Sequence, residues 1–192
     1  MPQVIFIGNK EQRLVKRLQE GDKIAAREFY ALYADSLAGV CSRYIPDEED
    51  QKDVFQNALV HIFSHIADFK YRGTGSLEAW ATKVMVNESL KFLRTKQQHE
   101  VLQMDYDAVD DVEDDDLSVS NIPPNVIQQM LSRLPTGYRT VLNLYVFEGK
   151  SHQEIARLLG IRKDSSASQL LRAKNMLIKM IRKYNDDNPP RR

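Results

Sequence analysis

Long apolar runs are absent from this 192-residue chain. No stretch approaches the ~20 residues that a membrane-spanning helix needs. The opening MPQVIFIGNKEQR is apolar only over Val4–Ile7 and poor in flanking positive charge, so it does not read as a signal peptide. A single cysteine, Cys41, leaves no internal disulfide, and no motif surrounds it. It is expected as a small apolar residue on a helix rather than a reactive thiol. Catalytic signatures are missing too: there is no phosphate-binding loop, no G-x-S-x-G and no cysteine–histidine spacing. His61 and His65 stand one helical turn apart with Asp68 beyond, but HIFSH lacks a third strong ligand and an activating group. Surface histidines are the better reading. A soluble, cytoplasmic protein without cofactor, metal or catalytic role is the resulting expectation.

What is present is charge, unevenly placed. The chain has 27 basic and 27 acidic residues and no net charge. Residues 1–98 carry 14 basic and 13 acidic side chains, whereas residues 99–120 carry 9 acidic and no basic ones. Residues 121–192 carry 13 basic against 5 acidic, a net +8. A basic C-terminal block is the electrostatic footprint of a polyanion binder. The stretch DYDAVDDVEDDDLSVSNIPP (105–124) has no helical period and ends in a double proline. It reads as a solvated linker. Three parts follow: 1–98, a linker 99–121, and 122–192.

Both flanking parts read as helical. EQRLVKRLQEGD places Leu14, Val15 and Leu18 on one side and ends at Gly21. Asp22 can cap a second helix whose apolar face would hold Ile24, Ala25, Phe29, Leu32, Tyr33 and Leu37. After Pro46, the acidic turn DEED suits the positive end of a third helix, with Val54, Phe55, Ala58, Leu59, Ile62, Phe63 and Ile66 at 3–4 spacing. Beyond the loop KYRGTGS, Ser76 is a plausible N-cap for a fourth helix with Leu77, Trp80, Ala81, Val84, Val86 and Leu90. Four more helices follow the linker, punctuated by Pro135 and Gly149. Only Val4–Ile7 could be a strand. The fold class is all-α, in two small helical domains.

The most informative stretch is SHQEIARLLGIRKDSSASQLLRAKNML, residues 151–177. Ser151 and Glu154 form an S-x-x-E capping box, and Gly160 falls where the chain must leave the helix with positive φ. On the second helix Ser166, Leu170, Ala173 and Leu177 share an inward stripe, while Ser165, Ser168, Arg172, Asn175 and Lys179 point away from it. Residues 165–183 contain no acid. A merely solvated helix more often mixes Glu with Lys. Small polar and basic residues can instead enter a major groove about 12 Å wide.

With these motifs in this order, residues 11–184 resemble the extracytoplasmic-function sigma factors, the compact group of the bacterial sigma-70 family. The resemblance implies that the first part is region 2, which binds core RNA polymerase and melts the −10 element. It implies that the last part is region 4, which reads the −35 element through the helix pair. DEEDQKDVFQNALVHIF is similar to the helix that packs on the polymerase clamp coiled coil, with Asp50, Asp53, Gln56 and Asn57 at the polar contact positions. Asn57 stands where the family usually has Glu.

FKYRGTGSLEAWATKVMVNESLKFLRTKQQ resembles the promoter-melting part. Phe69, Tyr71, Arg72 and Asn87 match positions for capturing the opened strand, and Lys83, Arg94 and Lys96 for holding its backbone; Trp80 supports the fold. In the recognition helix Ser165, Ala167, Ser168, Leu171, Arg172 and Lys174 fall on positions facing groove or phosphate. Ala167 replaces a usual Lys or Arg, and Leu171 a usual small polar residue, which favours apolar readout such as contact with thymine methyls. The implied partners are core polymerase, promoter DNA and an anti-sigma factor, with no membrane insertion. The alternative is an operator-binding regulator with a helical dimerisation or sensor domain. It shares the helix pair but has no use for DEEDQKDVFQ and AWATKVMVNESL together.

Overall fold

The computed structural model describes residues 3–99 and 122–188. Among them are eight α-helices, one 3-10 turn and no strand. The acidic linker expected over 99–121 lies outside the described residues, except that the last helix of the first part continues to His99. The chain divides into two compact units, residues 1–102 and 103–192.

The first unit holds α1 (Gln3–Gln19), α2 (Lys23–Tyr44), α3 (Glu48–His65), the 3-10 turn Ile66–Asp68 and α4 (Ser76–His99). Val4–Ile7 is part of α1 and not a strand. A run of four apolar residues specifies no period by itself, and here it continues the helix of EQRLVKRLQ. Asp22 caps α2 as expected, accepting from the Ile24 amide at 2.7 Å. Arg17 Nε donates to the same carboxylate at 2.8 Å. These bonds hold the Asp22 carboxyl below its ordinary pKa, the backbone amide contributing most.

The apolar face of α2 is narrower than its composition suggests. Ala25, Phe29, Leu37, Val40, Cys41 and Tyr44 are buried, but Ile24 and Leu32 are 67% and 60% exposed. At 100° per residue, Ile24 lies about 140° from Phe29, on the far side of the helix. On α3, Val54, Ala58 and Ile62 form the buried ridge. Cys41 is buried between them, and that burial pushes its thiol up to about 11. It is therefore a packed apolar residue, not a nucleophile.

The second unit holds α5 (Pro124–Ser132), α6 (Thr136–Val146), α7 (His152–Leu159) and α8 (Lys163–Asp187). Helices α5, α6 and α7 all pack on α8. Arg139 is buried, and its guanidinium donates to the carbonyls of Ser132 and Leu134 at 3.2 and 2.8 Å. It thereby closes the C-terminal end of α5, where carbonyls lack helical partners. Burial lowers its pKa to about 10, which still leaves a cation at neutral pH.

Candidate nucleic-acid and polymerase interfaces

The loop between the 3-10 turn and α4 is fastened to α1. Glu11 is buried, and its carboxylate accepts from the amides of Gly75 at 2.6 Å and Leu77 at 2.8 Å. It therefore caps α4 from a distant helix. Ser76, the expected N-cap, is instead the first helical residue, and its hydroxyl accepts from the Arg72 amide at 3.2 Å. Gln19 Nε2 donates to the carbonyls of Ile66 and Phe69 at 3.1 and 2.8 Å. Gly73 and Gly75 take φ values of 118° and 84°, which a side chain would resist. A loop held at both ends in this way loses little entropy when it engages a ligand.

Phe69 and Tyr71 emerge from this loop. The Phe69 ring packs on Trp80 of α4, centroids 5.1 Å apart. Phe69 and Tyr71 also line a cleft of about 400 Å³ with Gln12, Arg13, Val15, Lys16 and Gln19 of α1. Aromatic faces beside amides and cations are the elements of single-stranded nucleic-acid binding. Tyr33 of α2 is half-buried near Glu11, Glu78 and Tyr71. Burial first, and then those neighbours, push its hydroxyl up to about 12.

Helix α4 is buried on most of its circumference. Leu77, Ala81, Val84, Met85, Val86, Ser89, Leu90 and Leu93 all lie in the interior. Lys83, Asn87, Lys91 and Arg94 are exposed, and at 100° per residue they fall with Trp80 within about 80° of arc. They form one strip, about 20 Å long at 1.5 Å per residue, leading away from the Phe69–Trp80 pair.

Lys96 is not on that strip. Its ammonium meets Asp50 of α3 at 2.6 Å and lies 5.8 Å from the centroid of the Phe92 ring. The structure thus joins one residue expected on DNA to one expected on polymerase. Asp53, Gln56 and Asn57 remain together on the outward face of α3, with Val60 exposed beside them. Phe55 is half-buried, its ring edge-on to Tyr30. His61 Nδ1 sits 2.9 Å from the Glu88 carboxylate, and His65 Nδ1 2.9 Å from the His61 carbonyl. Among the described residues no group of three His, Cys, Asp or Glu side chains could hold a metal ion.

In the second unit the capping box is complete. Ser151 Oγ accepts from the Glu154 amide at 3.3 Å, and Glu154 Oε2 accepts from the Ser151 amide at 2.9 Å. That amide first, then the Ser151 hydroxyl, hold the Glu154 carboxyl below its ordinary pKa. Gly160 ends α7 with φ 69° and ψ 30°, a conformation that costs residues with a Cβ about 1–2 kcal/mol. Ile155 of α7 and Ser166, Leu170 and Ala173 of α8 are buried, and the two helices pack on each other. His152 Nδ1 lies 3.0 Å from Ser166 Oγ, and the ring of Tyr145 stacks on His152 at 4.9 Å. This polar joint carries no helical periodicity and was not legible in the sequence.

The outward face of α8 is rotated from the expected one. Ala167, Ser168, Leu171 and Lys174 are exposed, with Leu171 at 44%. Ser165 and Arg172 are half-buried at its flank, and the Arg172 guanidinium donates to the Tyr138 hydroxyl at 3.3 Å. Asn175, expected outside, is 8% exposed. Leu177 is half-buried. Helix α8 is covered from more than one side, because α5 packs on it as well as α6 and α7.

Two family models match, sigma-70 region 2 over residues 29–99 and sigma-70 region 4 over residues 125–177. Curated relatives named as RNA polymerase sigma factors match alongside them. The chain belongs to the sigma-70 family, as a sigma factor of the extracytoplasmic-function type. The sigma-H factor of Pseudomonas aeruginosa is 25% identical over 184 residues, covering 90% of this chain and 94% of its own. The sigma-E factor of Haemophilus influenzae is 26% identical over 178 residues, covering 87% and 93%. Among solved structures, the sigma factor RpoE in complex with the anti-sigma factor NepR from Bartonella quintana gives a TM-score of 0.47 at 17% identity, covering 81% of this chain and 96% of that one.

In this sigma factor the loop and the exposed strip of α4 therefore lie in region 2, and the α7–α8 pair in region 4. The sigma-factor reading is favoured over the operator-binding one. No helix among the described residues is long and apolar enough to cross a membrane.

Proposed function

We propose that this sigma factor works without catalysis of its own, in the cytoplasm, by placing core polymerase on promoters through three surfaces. The outward face of α3, with Asp53, Gln56 and Asn57 flanked by Asp50, docks on the basic clamp helices of core polymerase. Exposed Val60 adds apolar area there. The loop around Phe69, Tyr71 and Arg72 and the strip Lys83, Asn87 and Arg94 capture the opened −10 strand. Lys96 stands apart from that strip, tied to Asp50 at the edge of the α3 face. The exposed face of α8 enters the −35 groove, with Ala167, Ser168 and Leu171 toward bases and Lys174 toward phosphate. Ser165 and Arg172 sit at its edge. An anti-sigma factor masking both units is the regulator that the family resemblance implies. The divisions 1–98, 99–121 and 122–192 are then region 2, a tether and region 4.

The observation that carries this reading is the strip on α4. Opening duplex DNA costs a few kcal/mol for each unstacked step. Stacking on aromatic side chains contributes about 1–3 kcal/mol per base, and cations along the strand offset phosphate repulsion. Phe69 and Tyr71 at the head of a strip bearing Lys83, Asn87, Lys91 and Arg94 provide both.

The test uses holoenzyme assembled on a promoter fragment, with permanganate reporting unpaired thymines. Lys83→Glu combined with Asn87→Ala is expected to leave core co-purification intact and abolish opening. Asp53→Lys is expected to lose core co-purification while the fluorescence of Trp80, the only tryptophan, stays native. Normal opening by the first variant, or normal core binding by the second, would overturn the corresponding assignment.

A further inference from the structure

The recognition helix carries one acidic residue where it would meet DNA. Asp164 lies in the first turn of α8, its side chain 83% exposed. At 100° per residue it falls within about 60° of Ala167, Ser168 and Leu171, so it belongs to the outward face itself. The next nineteen residues contain no acid. A carboxylate on a surface approaching phosphates is repelled unless it finds a donor there. Asp164 does not serve as the N-cap of α8. That position belongs to Arg162, which makes no side-chain cap hydrogen bond. The charged contact of Asp164 is with this same Arg162, Nη2 to Oδ2 at 3.5 Å. The guanidinium leaves the carboxylate exposed and sets a positive charge beside it.

In the major groove, the partner for a carboxylate is the N4 amino group of cytosine, the donor that Asp and Glu accept from. We infer that Asp164 reads a cytosine in the −35 element, next to the bases that Ala167 and Leu171 meet through their apolar side chains. The inference rests on the proposed placement of α8 in the −35 groove and names the base that placement selects. On this face one acid, one hydroxyl and two apolar side chains read amino and methyl groups, while its one cation, Lys174, is left to the phosphates. Arg162 offsets the repulsion from the flanking phosphates.

The experiment is competition binding of holoenzyme to promoter fragments in which each −35 base pair is replaced in turn. For the unaltered protein, one C·G pair is expected to matter by about fivefold or more when changed. Asp164→Ala should erase the preference at that pair and leave the others in place. Asp164→Asn should turn it toward adenine, which Asn contacts through N6 and N7. If Asp164→Ala strengthens binding to every fragment alike and keeps every base preference, the residue only complements the helix dipole and the inference is wrong. If the unaltered protein shows no −35 preference, the placement of α8 fails with it. That outcome differs from the first because it appears before any substitution.

Discussion

Glu11, on a distant helix, is the residue that holds the loop proposed for the −10 strand. Its two carboxylate oxygens take amides 64 and 66 residues away. The Leu77 amide is in the first turn of α4, where helical donors have no partner of their own, and the Gly75 amide lies just before it. Hydrogen bonds to a charged group contribute about 1.5–3 kcal/mol each at most, and the amides would be left partly unsatisfied without it. Glu11→Ala is therefore expected to destabilise region 2 by about 2–4 kcal/mol. Denaturation of the full chain followed by Trp80 fluorescence measures this, and a midpoint unchanged from the native protein would remove Glu11 from the account. Contacts of this kind escape sequence reading. Periodicity and caps report partners within a few residues, whereas Glu11–Leu77, Asp50–Lys96 and Arg172–Tyr138 are separated by 66, 46 and 34 positions. For the same reason Ser76 looked like a cap: it has the right chemistry beside the helix start. The Asp50–Lys96 pair is half-exposed, worth about 0–1 kcal/mol. It limits the reach of two side chains more than it stabilises the unit.

At the scale of elements, the helix pair of region 4 was legible because its signals are local. Ser151, Glu154 and Gly160 each act within four residues, and all three take the predicted conformations and bonds. What the pattern missed was rotation. Assigning the inward side of α8 from Ser166, Leu170 and Ala173 was sound, but a helix covered by three neighbours has no single outward side along its whole length. Asn175 is buried and Arg172 drawn to Tyr138 accordingly. Of the positions proposed for the −35 groove, Ala167, Ser168, Leu171 and Lys174 are exposed, and Asp164 shares their side of the helix.

The capping box also carries a pH dependence. The folded-state pKa of Glu154 is lowered, so its contribution is fully present above the ordinary value of 4.5 and is lost as pH falls through the folded value. Thermal melts of the native chain and Glu154→Ala should differ at pH 7 and converge as the medium is acidified below pH 4.5. A gap that persists unchanged into that range would mean the box acts through packing and not through the ionised carboxylate.

At the scale of the whole molecule, a nearly neutral helical part and a basic helical part flank a strongly acidic segment in the sequence. Composition alone made that division visible, since 9 acidic residues and no basic ones fall within residues 99–120. Tethering has a direct consequence for affinity. A recognition helix with few cations binds weakly alone, but linkage to region 2 and to polymerase raises its effective concentration at the −35 site. The two promoter surfaces then need only modest affinity each, and specificity is a product of both.

The most direct measurement is run-off transcription with purified protein, bacterial core polymerase and a pool of genomic promoter fragments. Transcripts that begin only when this chain is added, from sites sharing a −35 and a −10 sequence at fixed spacing, are the expected result. A protein that neither joins core polymerase nor redirects it, with a cognate core present, would contradict the account.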